Sequence, residues 1–353
     1  MDIICVKCQN RVMVPPNTAC CRCPFCKIII TAEKFETSPG GHSHILWKTR
    51  CPDNRCQLTT KLPPTVQKPK LSSFPAAHQP KRAVLCGVRY GTKKLKLKGT
   101  INDVNMMKSL LLETFQFPES AIRVLTEDQN NPNLVPNKGN IQNALKWLVT
   151  NSIPGDSLVF FFSGHGLRQP DFDGDEIDGF DETICPSDFM TSGMILDNEI
   201  NDTIVKPLKK GVKLHAIVDA CHSGTILDLE NVYNKSSGKW VDNRPPSGVN
   251  KGTDGGRVIC LSACADDRLA SDTNALARNQ VTGALTYIFV NIIKTKPHIT
   301  YGGLLSEMSE RIEGVNSKGC LFRKMFRNKI IQEPLLSSSE KFDVGNEVFK
   351  LSA

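Results

Sequence analysis

The chain has 353 residues, 40% of them hydrophobic and 23% charged, the composition of an ordinary soluble globular protein. That length suits one large domain with an appendage, or two domains of ordinary size, and no apolar run approaches the roughly 18 residues a membrane span needs. The net charge of +8 is concentrated between Lys61 and Lys98, a proline-containing stretch with no Asp or Glu, so it reads as a solvated basic linker rather than a nucleic-acid surface.

The opening residues, Met1-Asp2-Ile3-Ile4-Cys5, lack a basic region followed by an apolar core, so an intracellular chain is expected. Fourteen cysteines in such a chain argue for metal binding or catalysis rather than a disulfide framework. Eight lie at or before Cys56 and six are scattered beyond it, which implies two modules. We read residues 1–37 as a small metal-binding module, 38–80 as a flexible proline-rich linker and 81–353 as the main domain.

In the first module, Cys5-Val6-Lys7-Cys8 and Cys23-Pro24-Phe25-Cys26 are Cys-x-x-Cys pairs separated by fourteen residues. Two such turns supply four thiolates, enough for one tetrahedral zinc. Cys20 or Cys21 is an alternative to Cys23, and a redox or purely structural reading also stands. So short a segment has little core of its own, so a structural zinc would supply much of its stability.

From Lys81 the texture changes. Apolar runs at Ala83–Val88, Ile122–Leu125, Ser157–Phe162, Leu214–Val218 and Val258–Ser262 have the length and composition of strands buried on both faces. Helical patterns lie between and after them, at Asn102–Glu113 (Asn102 as N-cap), Asn140–Val149, Thr282–Ile293 and Thr300–Ile312. The alternation predicts an α/β domain with a largely parallel central sheet flanked by helices. Val232–Gly256 reads as a long surface loop, and Cys320–Ser339 as polar and loop-rich.

Two of the predicted strands run straight into reactive side chains. Ser157–Phe162 leads into Ser163-Gly164-His165-Gly166, and Leu214–Val218 leads into Asp219-Ala220-Cys221-His222-Ser223-Gly224. The carboxyl ends of parallel strands line the ligand crevice of an open sheet. If the two strands are neighbours, His165 can activate the Cys221 thiol as a nucleophile, and the glycines leave room for a substrate backbone. His222 adjoins the nucleophile and points elsewhere as a sequence neighbour. A serine hydrolase built on Ser163 or Ser223 would lack the Gly-x-Ser-x-Gly elbow.

Ser-Gly-His-Gly followed by Asp-Ala-Cys-His-Ser-Gly resembles the catalytic signature of the metacaspases, and 56 positions separate His165 from Cys221, near the caspase spacing. With the cysteine-rich module and the linker, the chain resembles a plant type I metacaspase carrying a lesion-simulating-type zinc finger. Gln9 stands where that finger usually has Arg. The resemblance implies a caspase-like fold and a calcium-dependent cysteine endopeptidase with His165 and Cys221 as its catalytic pair. It also implies an S1 pocket of Asp103, Ser163 and Asp219 that takes Arg or Lys; Thr100 stands where many members carry Cys. Zinc would be held by Cys5, Cys8, Cys23 and Cys26.

Calcium would be held by Asp181, Asp197, Asn198 and Asp228, with Asn198 where Asp is often found. Of these, Asp181 belongs to an acidic run that also holds Asp171, Asp173, Asp175, Glu176, Asp178, Glu182 and Asp188, and whose spacing does not fit an EF-hand. The expected setting is a monomer in the cytoplasm, with nuclear access, linked to programmed cell death or stress responses. Its partners would be protein or peptide substrates and a protein bound by the finger, with no membrane and no nucleic acid. Self-cleavage is expected in the basic loop holding Lys235, Lys239, Arg244, Lys251 and Arg257. The alternative is a catalytically silent scaffold that binds protein or nucleic acid through the finger and the linker.

Overall fold

A computed structural model describes residues 78–91, 95–221, 223–263, 282–317 and 334–351, with the backbone of short strands at 272–273 and within the first 49 residues. The chain divides into two compact units, Met1–Phe74 and Pro75–Ala353.

In the first unit, Asp2–Ile4 pairs with Arg11–Met13, and Cys20–Arg22 pairs with Ile29–Lys34, which pairs in turn with Ile45–Thr49. The strand Ile45–Thr49 lies within the proline-rich stretch whose composition suggests a linker. Cys5, Cys8, Cys23 and Cys26 lie outside the described residues.

The second unit is built on an eight-stranded sheet. Its strands, in chain order, include β1 (Lys81–Gly87), β2 (Ile122–Thr126) and β3 (Ser157–Ser163). A separate three-stranded sheet follows, formed by β4 (Gly166–Pro170), β5 (Phe180–Ile184) and β6 (Ile195–Leu196). The main sheet then continues with β7 (Lys213–Asp219), β8 (Asn231–Asn234), β9 (Lys239–Asp242), β10 (Arg257–Ser262) and β11 (Leu335–Ser338). Its order is β9-β8-β11-β10-β7-β3-β1-β2. All five predicted strands are present, and they pair in parallel with one another.

Side chains alternate across this sheet with the period of two that a strand imposes. Leu158, Phe160 and Phe162 of β3 enter one apolar core, and Val159 and Phe161 enter the other. Helices α1 (Thr100–Glu113), α3 (Ala284–Thr295) and α4 (Tyr301–Ser317) cover the Val159 face; α2 (Lys138–Val149) covers the opposite one. Both faces are sealed, which explains why the parallel strands read as unbroken apolar runs.

Three local expectations are corrected. Helix α1 starts at Thr100 with Gly99 at its cap position, so Asn102 lies inside the first turn rather than capping it. Within 232–256, β8 and β9 form an antiparallel hairpin at the sheet edge, so this stretch is not all surface loop. Leu335–Ser338, predicted as loop, is the antiparallel strand between β8 and β10. Two apolar residues in four carry too little periodicity to announce a strand.

Candidate active site

β3 and β7 are neighbours, and Ser163 is the register partner of Asp219. His165 and Cys221 each stand two residues beyond that pair, so both reactive groups leave the sheet at the same height on adjacent strands. The Gly164 N–H donates to the Asp219 carbonyl at 3.3 Å, which holds the two exits together. A Cβ at Gly166 would run into the Cys221 carbonyl oxygen, so the β3–β4 turn can approach Cys221 only as glycine.

The imidazole of His165 is oriented from outside the dyad. Its Nε2 lies 2.7 Å from the Leu95 carbonyl oxygen. A carbonyl only accepts, so Nε2 carries the hydrogen and Nδ1 of the neutral ring keeps the lone pair that a base needs. Tyr90 packs its ring 4.5 Å from the imidazole, and its hydroxyl accepts from the His165 N–H while donating to the Cys185 carbonyl. Leu95 and Tyr90 escape a sequence reading because they act through tertiary position. Cys221 is buried; His222 lies outside the described residues.

Behind the dyad, the fold brings together Asp103, Ser163 and Asp219, all buried. The Ser163 hydroxyl donates to Asp103 Oδ2 at 2.8 Å, and the Gly283 N–H donates to Asp103 Oδ1 at 2.8 Å. Thr286 donates to Asp219 Oδ2 from its N–H at 3.0 Å and from its hydroxyl at 2.7 Å. The first turn of α3 therefore donates directly to the Asp219 carboxylate. A Cβ at Gly283 would collide with the Asp219 carboxylate and lie 2.9 Å from Asp103 Oδ2, so glycine keeps this space open. Gly283 and Thr286 are additions that tertiary packing supplies.

Neither serine is placed as a nucleophile. The Ser163 hydroxyl is spent on Asp103, and the buried Ser223 hydroxyl donates to the Ala220 carbonyl at 2.9 Å.

A second cluster lies on the β4–β5–β6 side. Oxygens of Glu176, Asp181 and Asp197 converge, as do those of Asp171, Asp175 and Asp181. Asp228 and Asn198 join through the Lys251 ammonium, which is 2.8 Å from Asp228 Oδ2, 2.6 Å from Asp175 Oδ2, and hydrogen-bonded to Asn198 Oδ1. All four residues of the expected calcium set thus meet in one place, and Asp175, Glu176 and Lys251 are added to it. Asp175, Asp181 and Asp228 each retain one buried oxygen without a hydrogen-bond partner. Burial, then the Asp228 charge, pushes Asp197 up to about 10 and Glu176 up to about 9; burial also raises Asp181 and Asp228. The chamber crowds more carboxyl groups together than the Lys251 ammonium can hold ionised, so without a further cation some of them keep their protons. An all-oxygen donor set with orphaned buried oxygens fits a hard divalent cation.

Residues 81–230 match the family described as Metacaspase, peptidase C14 domain. Metacaspase-1 of Arabidopsis thaliana is 39% identical over an alignment spanning 99% of this chain and 96% of that protein. The chain belongs to the metacaspases. Metacaspase-3 of the same plant is 40% identical, with 96% of each chain covered. Metacaspase-2 is 51% identical across 69% of this chain and 59% of its own length. A crystal structure of a Geobacter sulfurreducens protein, 18% identical, superposes with a TM-score of 0.50 over 77% of this chain and 99% of that one, which speaks to the fold alone. This metacaspase is therefore a caspase-like cysteine peptidase that acts on protein substrates, built on a mixed α/β fold with a mostly parallel central sheet. No helix among the described residues is long and apolar enough to cross a membrane.

Proposed function

We propose that the chain is a calcium-dependent endopeptidase that cleaves after Arg or Lys, with Cys221 as nucleophile and His165 as its base. The observation that carries this reading is the pairing of Ser163 with Asp219, each two residues short of a reactive side chain, with Asp103 bonded to Ser163. A basic P1 side chain that reached Asp103 and Asp219 would place the following carbonyl beside Cys221. Each ionised carboxylate offers about four acceptor sites, so it can receive a guanidinium while keeping its present donors.

Cys221 Sγ attacks the scissile carbonyl as His165 Nδ1 takes the thiol proton. The imidazolium returns that proton to the leaving amine as the C–N bond breaks, leaving a thioester. Water, deprotonated by His165, attacks the thioester and releases the acid and the free thiol.

Asp181, Asp197, Asn198 and Asp228, with Asp175 and Glu176, would hold calcium, which supplies the positive charge this chamber lacks. Asp228 follows Cys221 by seven positions on the segment that leaves β7, so fixing it also fixes the chain next to the nucleophile. Hydrolysis of a short Arg-ended peptide should require calcium, stop on chelation and stop on thiol alkylation. Full activity in excess chelator would remove the calcium arm, and activity that survives alkylation would remove the cysteine arm.

For the first unit we propose a structural zinc on Cys5, Cys8, Cys23 and Cys26. Each Cys-x-x-Cys falls between two paired strands, with Ile4 opposite Arg11 and Arg22 opposite Ile29. Metal analysis of the full chain should return one zinc, lost when Cys5 and Cys8 are both changed to serine. A zinc-free wild-type chain would end this assignment.

The cellular setting we propose is a cytoplasmic monomer, with nuclear access, that serves programmed cell death or stress responses and presents its finger to a protein partner. Family membership alone supports it. A Cys221→Ala chain that performs as well as wild type in cells would argue against it.

A further inference from the structure

Lys251 departs from what its surroundings in sequence suggest. It lies in Pro246-Ser247-Gly248-Val249-Asn250-Lys251-Gly252, a stretch with the composition of a surface loop, yet its side chain is only 3% exposed. Lysine is almost never buried unless it is paired. Here the ammonium is paired four ways: with Asp175 at 2.6 Å, Asp228 at 2.8 Å, Glu176 at 3.8 Å and the Asn198 side-chain oxygen. The backbone carbonyl of Lys251 also accepts from Asn201 Nδ2 at 3.1 Å, which fixes where the side chain enters.

All four partners are residues we assign to calcium: Asp228 and Asn198 from the expected set, and Asp175 and Glu176 beside them. Asp175 and Asp228 each also keep an orphaned buried oxygen there. An ammonium and a divalent cation cannot share the same carboxylate oxygens, because the charges repel and each donor would lose its second partner. We propose that Lys251 is a tethered competitor cation, which occupies the chamber in the metal-free protein and must be expelled before calcium binds. The tether sets the calcium threshold. The buried pairs that stabilise the metal-free form are also what calcium has to break, so apparent affinity falls by the strength of that pairing.

This inference rests on the calcium reading above and is tested apart from it. Calcium binding is measured by titration calorimetry on the full chain carrying Cys221→Ala, so that no self-cleavage intervenes, and on the same chain with Lys251→Met. Methionine keeps the length of the stem and removes the charge. The Lys251→Met chain should bind calcium roughly tenfold or more tightly than its parent. Its melting temperature in chelator should fall below the parent's and recover more on adding calcium, because the metal-free carboxylates have lost the ammonium that pairs with them. If Lys251→Met does not fold in chelator, Lys251→Gln, neutral but still a donor, is measured in its place with the same expectation. Binding by the parent with equal or weaker binding by the variant overturns the competitor role while leaving the calcium site standing. Binding by neither protein at millimolar calcium overturns the calcium reading and the competitor role with it.

Discussion

Replacing Cys221 with alanine should abolish peptide hydrolysis, by roughly 10³-fold or more, while leaving the melting temperature near that of the parent. The Ser163 and Ser223 hydroxyls are not available to replace the thiol, because they are held by Asp103 and the Ala220 carbonyl. His165→Ala should lose nearly as much activity. The double variant should lose little more than either single one, since nucleophile and base act as a unit. Turnover kinetics on one Arg-ended peptide, with melting temperatures for all three variants, check this. Residual activity within tenfold of wild type for Cys221→Ala would move the chemistry to another residue.

The second large effect should come from Asp219→Asn. The shape is kept, and an amide oxygen can still accept from the Thr286 N–H and hydroxyl, so the start of α3 keeps its partner. What is lost is the negative charge that we propose receives the P1 side chain. Hydrogen bonds to charged groups are worth about 2 kcal/mol, which corresponds to about 30-fold in kcat/KM for Arg-ended peptides. Cys221 should still react with an alkylating agent at the wild-type rate, which separates a pocket defect from a damaged dyad. Unchanged kcat/KM in the variant would mean that Asp219 serves only α3.

Four of the five parallel strands were legible because they are buried on both faces and read as apolar runs; β2, at the sheet edge, is half-buried at Ile122, Arg123 and Val124 and was carried by its β-branched residues. The placing of His165 and Cys221 on neighbouring strand ends was legible for a related reason: each follows directly on such a run. The edge hairpin β8–β9 and the strand β11 were not legible. They are four residues long, mix polar and apolar side chains, and owe their pairing to a sheet already formed. Gly283, Thr286, Tyr90 and the Leu95 carbonyl reach the site through helix ends and loops that no local pattern announces. The acidic residues of the second cluster stood out in the sequence, but the ammonium among them did not. Lys251 sits in a polar, glycine-containing stretch where a lysine is ordinarily solvated, and only long-range packing buries it.

We propose that this cleft hydrolyses peptides after a basic residue, using Cys221 with two carboxylates behind it. A peptide library varied only at P1, incubated with the full chain in calcium and with the Cys221→Ala chain as blank, tests it most directly. Like-charge juxtaposition in such a pocket costs several kcal/mol, so cleavage after Arg and Lys should dominate and cleavage after Asp should fall to the blank. A preference for Asp, or for large apolar side chains, would mean that the two carboxylates do not receive the P1 side chain.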